Sequence, residues 1–265
     1  MKAVNFQYRT ELVFSSPASD HKFLLKILPQ DDGRQRIASL SWLVEPQGKL
    51  WRVSDGFGNA ALAGYIDPPH SRFRFGITGT AEVSDKPYVI CPEPERALLY
   101  PSELTKPRGG ISDFYDRLKA FAPPPDEPLR RAEYFSRAVH GHMNYERGIT
   151  GSSTPAREAF ALGSGVCQDY AHILLALLKL DKIPCRYVAG LASDCGETHA
   201  WVEAWANGKF YGIDPTRDKF TDESYVALSR GRDFKDCSVE RGTYKGACKG
   251  SQTITLSMED AEVSQ

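Results

Sequence analysis

The sequence of 265 residues carries almost no net charge, with 33 Lys and Arg against 34 Asp and Glu. No field of one sign draws it to nucleic acid or to an anionic membrane surface. No apolar run approaches the roughly 20 residues that a bilayer-spanning helix needs. The first residues, Met1 to Glu11, lack the apolar core of a signal peptide, and the expected location is the cytoplasm. Six cysteines are present, Cys91, Cys167, Cys185, Cys195, Cys237 and Cys248, with no Cys-x-x-Cys pair among them. Their spacings match no common zinc pattern, and in a cytosolic chain they are expected to be free thiols. There is no acidic loop with calcium-ligand spacing, no internal repeat and no low-complexity segment. Neither a metal nor another cofactor is expected, and the oligomeric state is open.

What is present is an ordinary globular composition, 41% hydrophobic and 25% charged. Residues 1–95 read as a β-rich N-terminal domain. Phe23 to Leu28, Leu40 to Val44 and Arg72 to Ile77 are its short apolar or alternating runs, set apart by Asp31-Asp32-Gly33, Glu45-Pro46-Gln47-Gly48 and Asp67-Pro68-Pro69. A sandwich with no chemistry of its own is expected there. The proline-rich stretch Pro87 to Pro107 reads as a connector, with residues 96–110 as its body. Residues 111–258 then form a second domain and 259–265 a disordered tail.

The second domain opens with helical patterns at Ile111 to Phe121 and Leu129 to Met143. A third runs to Leu162 behind Thr154-Pro155, which reads as an N-cap followed by proline at the first helical position. After Leu180 the pattern turns to strands, at Cys185 to Leu191, Thr198 to Ala206, Lys209 to Ile213 and Thr253 to Leu256. Between the two regions lies Gly163-Ser164-Gly165-Val166-Cys167-Gln168-Asp169-Tyr170, followed by the apolar run Ile173 to Leu178. That order places Cys167 in the first turn of a buried helix, where unpaired amides and the helix dipole favour an anion. Helix starts of this kind favour the thiolate of a cysteine.

A cysteine nucleophile needs a base, and the base needs an orienting group. His199 begins one strand, Asp214 ends the next, and Asn207-Gly208 between them is a two-residue hairpin signal. With that loop Ala206 faces Lys209, His199 faces Thr216 and Asp214 faces Trp201. His199 and Asp214 then lie on one face as diagonal neighbours, with backbones roughly 7 Å apart. The other face carries Ala200, Val202, Ala204, Tyr211 and Ile213, an apolar set suited to packing. Cys167 as nucleophile, His199 as base and Asp214 as orienting carboxylate make a triad for acyl transfer. The Cys167 backbone N–H is one oxyanion donor, and the second is not assignable from sequence. Asp169 reads as a cap of the same helix. His172 points away from the thiol as a packing or hydrogen-bonding residue. His140 and His142 read as solvated or capping. Trp201 and Trp205 share the His199 face and either line a groove or pack in the core. Tyr170 and Gln168 stand near the thiol without an assigned role. Cys185, Cys195, Cys237 and Cys248 are read as structural.

Gly165 to His172, Thr198 to Glu203 and Asp214-Pro215-Thr216 together resemble the bacterial transglutaminase-like superfamily, whose order is also Cys, His, Asp. Gly231 to Asp236 and Arg241 to Gly246 are similar to that family's usual ending, with Cys237 and Glu240 as minor departures. Asp55-Gly56-Phe57-Gly58-Asn59 resembles its β-rich N-terminal domain. The resemblance implies an α+β fold, with a papain-like core in which a helix-borne cysteine packs on an antiparallel sheet. It also implies thiol acyl transfer on a peptide or protein substrate bearing an amide or isopeptide, with hydrolysis as the expected outcome. Glutamine–amine cross-linking and a non-catalytic peptide-binding scaffold are the alternatives.

Overall fold

A computed structural model describes residues 1–123, 125–247 and 249–261. The fold is α+β, as the sequence implies. Strand β1 (Lys2–Leu25) is 24 residues long and organises the N-terminal part. Val4, Phe6, Tyr8 and Thr10 alternate inward along it, the period of a half-buried strand. The strands β2 (Gln35–Glu45), β3 (Lys49–Ser54), β4 (Ala60–Ile66) and β5 (His70–Val83) complete a curled antiparallel sheet in the order β2-β5-β1-β4-β3. The first half of β1 pairs with β5 and its last residues pair with β4. The register shift between them falls next to Pro17 and to Asp20, whose φ is 48°. One strand thereby turns a corner and serves two halves of the sheet.

The second part begins with β6 (Tyr88–Ile90), then α1 (Gly110–Lys119) and α2 (Pro128–His142). Next come β7 (Asn144–Tyr145), α3 (Ala156–Leu162), β8 (Ser164–Gly165) and α4 (Cys167–Leu180). The strands β9 (Cys185–Ala192), β10 (His199–Ala206), β11 (Lys209–Asp214), β12 (Lys219–Phe220) and β13 (Tyr225–Gly231) form the core sheet in the order β12-β11-β10-β9-β13. Helix α4 is apolar all round and fully buried from Ala171 to Leu178, as a central helix must be. It packs on β9 and β10 and is surrounded by α1, α2 and α3. Short α5 (Phe234–Cys237) follows β13, and the chain then returns through β14 (Glu240–Lys245) and β15 (Gly250–Asp260).

Several boundaries differ from the sequence expectation. The stretch read as a connector is built into the core. Within it β6 pairs with β11, Gly212 N donates to Pro87 O at 2.7 Å, and Leu98 and Leu104 are buried. Proline punctuation marks breaks in helix and strand, yet it does not show whether a segment is packed. Residues 240–260 belong to the N-terminal sheet, because β14 and β15 both pair with β1. Glu259 and Asp260 therefore lie in a strand rather than a disordered tail, and residues 262–265 lie outside the described ones. Thr154 does not cap α3. Pro155 holds the cap position, and Thr154 Oγ1 instead accepts from Gly151 N at 2.9 Å.

The two parts are joined by polar groups that substitute for a missing strand. β13 is an edge of the core sheet. The buried Gln35 side chain meets both backbone groups of Ala227, donating to its carbonyl at 2.9 Å and accepting from its N–H at 2.8 Å. Asn59 does the same for Arg230, at 2.7 and 2.8 Å. Two carboxamides thus satisfy an edge that would otherwise bury unpaired amides. Beside them Glu203 accepts from Arg186 at 2.6 Å and from Arg230 at 3.0 Å, and Arg230 reaches Asp32 at 2.7 Å.

Candidate active site

Three local devices bring the candidate residues together. The first is the start of α4. Asp169, three residues past Val166, accepts from Val166 N at 2.8 Å and from Thr150 Oγ1 at 2.7 Å. This is the capping role expected for it, and it fixes the first turn that presents Cys167. The second is the hairpin. Asn207 and Gly208 have φ values of 50° and 78°, the left-handed pair of a type I′ turn. The ladder runs from Ala206 opposite Lys209 to Val202 opposite Ile213, the expected register. Ala200, Val202, Ala204 and Ile213 accordingly face the core beneath α4. Tyr211 differs, lying half-buried with its ring 5.4 Å from that of Tyr88. The third is β9, which flanks β10 on the other side and carries β13 next to it.

The imidazole of His199 and the carboxylate of Asp214 meet at 2.7 Å, Nε2 to Oδ2. Asp214 is fully buried and well supplied with donors. Tyr225 OH donates to Oδ2 at 2.8 Å, and Thr216 N and Arg217 N donate to Oδ1 at 2.9 and 3.3 Å. Burial opposes its charge, yet these donors and His199 hold its pKa below the ordinary carboxylate value. Burial likewise opposes a charge on His199, and hydrogen bonding to Asp214, Cys167 and Cys195 outweighs it, raising the imidazole pKa well above its usual range. The pair therefore favours imidazolium beside carboxylate. Cys167 and His199 line a common cleft of about 330 Å³ with Tyr145, Tyr187, Ala189 and Phe234. A second hollow of about 200 Å³ adjoins it and adds Asp194, Cys195, Thr216 and Arg217. Larger hollows on the N-terminal strands carry neither a thiol nor an imidazole. Among the described residues no cluster of His, Cys, Asp and Glu converges as a metal site requires.

Other sequence expectations sort themselves around this cleft. Trp201 is core, buried among Val188, Ala192, Tyr225 and Ala227, and Trp205 donates its indole N–H to Cys91 O at 2.7 Å. Neither lines the cleft. His172 is buried and accepts from Phe234 N at 3.1 Å. His140 is exposed to solvent, as expected, with Nδ1 3.2 Å from Pro215 O, whereas His142 is half-buried and pairs with Phe160 O at 3.0 Å. Cys185 and Cys237 are buried structural thiols, and Cys248 lies outside the described residues. Cys195 differs from its structural reading. It lines the smaller hollow together with His199 and accepts from Arg217 Nη2 at 3.0 Å. Tyr225, Arg217, Tyr145, Arg147 and Glu197 were not singled out in the sequence. Glu197 and Arg217 lie within three residues of His199 and Asp214, a proximity that could have flagged them. Tyr225 reaches Asp214 only through the pairing of β13 with β9.

Residues 117–215 match the transglutaminase-like superfamily, and residues 4–82 match the bacterial transglutaminase-like N-terminal region. An uncharacterized protein of Mycobacterium leprae is 26% identical over 277 residues, spanning 95% of this chain and 96% of its own length. An uncharacterized protein of Mycobacterium tuberculosis is 27% identical over 272 residues, spanning 89% of this chain and 85% of its own length. Among solved structures, a candidate cysteine protease from Cytophaga hutchinsonii superposes with a TM-score of 0.78 at 20% identity, over 100% of this chain and 93% of that one, a likeness of fold. Among the described residues no helix is long and apolar enough to cross a membrane. With both regions matched in order along one chain, this is a transglutaminase-like superfamily protein carrying the bacterial transglutaminase-like N-terminal region.

Proposed function

We propose that the chain is a cysteine-dependent hydrolase of amide or isopeptide bonds in a peptide or protein, with Cys167, His199 and Asp214 as its triad. The observation that carries this reading is the 2.7 Å contact of His199 Nε2 with Asp214 Oδ2 at the edge of a cleft that also exposes Cys167. With Nε2 committed to Asp214, the other ring nitrogen is left to serve the thiol. With its proton passed to His199, the Cys167 sulfur forms a bond to the acyl carbon, and the carbonyl electron pair moves to oxygen. Collapse of that intermediate expels the amine, which takes its proton from His199, and leaves a thioester. Water then attacks the thioester, His199 accepts its proton, and the acid leaves as the thiol is restored. Asp214 keeps the imidazole in one tautomer and stabilises its charged form throughout. The open cleft gives water access to the thioester, which supports hydrolysis over amine transfer.

Iodoacetamide at pH 6–7 should alkylate Cys167 far faster than the other cysteines. Uniform labelling would remove the nucleophile from this account. Cys167→Ala and His199→Ala should each abolish turnover across a peptide-amide library with folding intact. Incorporation of a labelled amine in place of hydrolysis would make the protein a cross-linking transferase. Selective labelling without turnover in either assay would leave a peptide-binding scaffold.

A further inference from the structure

One oxyanion donor is evident in the site. As the first residue of α4, Cys167 has a backbone N–H without an intrahelical acceptor. A tetrahedral intermediate needs at least one more donor, fixed before the reaction begins. Tyr145 lines the cleft beside Cys167 and carries a hydroxyl. β7 and β8 pair in parallel, with Tyr145 opposite Gly165 and Glu146 N donating to Gly165 O at 2.9 Å. That bridge ties Tyr145 to the segment that enters α4 two residues before the nucleophile. Its side chain lines both hollows that meet at Cys167 and His199, and it is 49% exposed, so the phenol faces the cleft rather than the core.

The phenol is also oriented. Arg147 lines the same two hollows beside Tyr145, and because guanidinium only donates, it can meet the phenol only at its oxygen, which leaves the phenol proton available. Arg147 is in turn held by Glu197 at 2.8 Å, two residues before His199. A phenol that accepts from a cation is a stronger donor to a developing oxyanion. Burial, and next the neighbouring Cys167, raise the Tyr145 pKa, which keeps that proton in place. The rival donor is Gln168, which also lines the cleft, but its side-chain amide is turned to Gly151 O at 3.3 Å.

We infer that the Tyr145 hydroxyl is the second oxyanion donor, acting with the backbone N–H of Cys167, and that Arg147 and Glu197 are its positioning residues. As the Cys167 sulfur bonds to the acyl carbon and the carbonyl electron pair moves to oxygen, Tyr145 donates a hydrogen bond to that oxygen and keeps its proton. The bond strengthens with the charge and relaxes when the intermediate collapses.

The inference rests on the acyl-transfer reading, and two thiol reagents separate the two. Alkylation by iodoacetamide displaces iodide at a tetrahedral carbon and develops no oxyanion. Acylation by p-nitrophenyl acetate passes through one, with p-nitrophenolate as the leaving group. Both rates are measured on the whole chain, with Cys167→Ala as the background. Tyr145→Phe should slow acylation on the order of 10²-fold, the usual cost of losing one such donor, and leave alkylation within about twofold. Arg147→Met should give a smaller loss of the same kind. Equal slowing of both reactions, or no slowing of acylation, overturns the inference and leaves the nucleophile standing. A selective loss in Gln168→Ala with none in Tyr145→Phe assigns the donor to Gln168 instead. Failure of Cys167 to be alkylated ahead of the other thiols sinks the acyl-transfer reading itself, and this inference with it.

Discussion

The hydroxyl of Tyr225 and the imidazole of His199 converge on one oxygen, Asp214 Oδ2, at 2.8 and 2.7 Å. His199 begins β10, Asp214 ends β11, and Tyr225 begins β13, beyond β9 on the far side of the sheet. The buried Asp214 carboxylate at the end of β11 is thus held by side chains from two other strands, β10 and β13.

Tyr225→Phe tests that clamp. The tyrosine donates to the ionised carboxylate, so its loss should raise the Asp214 pKa and move the acid-side fall in activity to higher pH. Turnover at neutral pH should fall about tenfold or more, since a hydrogen bond to a charged group is worth about 1.5–3 kcal/mol. Asp214→Asn should cost far more, toward the roughly 10⁴-fold of a serine triad given the wrong tautomer. A pH–rate profile compares the three proteins, and an unmoved acid limb in Tyr225→Phe would count against the role given to the clamp.

Gly165→Ala should damage the nucleophile without touching it. A Cβ there would lie 2.4 Å from Asp169 Oδ2 and 2.8 Å from its Cγ. Asp169 would have to leave Val166 N, and the first turn of α4 would lose its cap. The expected cost is about 1 kcal/mol of stability, together with slower iodoacetamide labelling of Cys167. Urea titration and labelling rates check both, and full retention of the labelling rate would refute the capping argument.

Glu203 gives a pH-dependent prediction. Burial disfavours its charge, but Arg186 and Arg230 outweigh that and hold its pKa down at about 2, against 4.5 for the free side chain. A depressed carboxylate pKa contributes stability above the unfolded value and loses it as pH falls through the folded one. The contribution, about 3 kcal/mol at neutral pH, should fade between pH 4.5 and about 2. Glu203→Gln should therefore be strongly destabilised at pH 7, because it leaves two guanidinium groups facing a neutral amide. The gap from wild type should narrow at pH 3. Denaturant unfolding at the two pH values measures it, and a gap that is independent of pH would contradict this account.

Gln35→Leu should uncouple the two halves of the molecule. It strands the N–H and carbonyl of Ala227, both otherwise met by the Gln35 amide. Two orphaned backbone groups cost about 1–3 kcal/mol each when buried. Hydrogen exchange should show faster opening of β13 than of β10, because β13 is the strand that loses its edge partner.

The sequence expresses its local chemistry well and its long-range pairing poorly. The hairpin at Asn207-Gly208 was legible because turn type fixes register, and register fixes which residues share a face. That reasoning places His199 beside Asp214 without any tertiary information. The helix start at Cys167 was legible for the same reason, since glycine punctuation and an apolar run are local signals. Tyr225 and Gln35 were not, because their partners lie 11 and 192 residues away and are brought near only by the assembled sheets. Cys195 looked structural because free cysteine is so often core, and only the loop between β9 and β10 turns it toward His199. The alternation of Val4, Phe6 and Tyr8 went unread in the sequence. Nothing local distinguished it as part of a 24-residue strand.

That strand has a consequence for how the chain comes to be folded. Residues 4–14 of β1 pair with residues 250–260 of β15. On a ribosome the first strand emerges long before its last partner exists. Helix α4 and the hairpin can assemble from nearby segments, but the N-terminal sheet waits, with one side of β1 unfilled, until β15 has been made. Such distant pairing is slow to form, and meanwhile it exposes an apolar edge to any extended segment that passes. The N-terminal sheet is thus completed only after the core between its strands has been made.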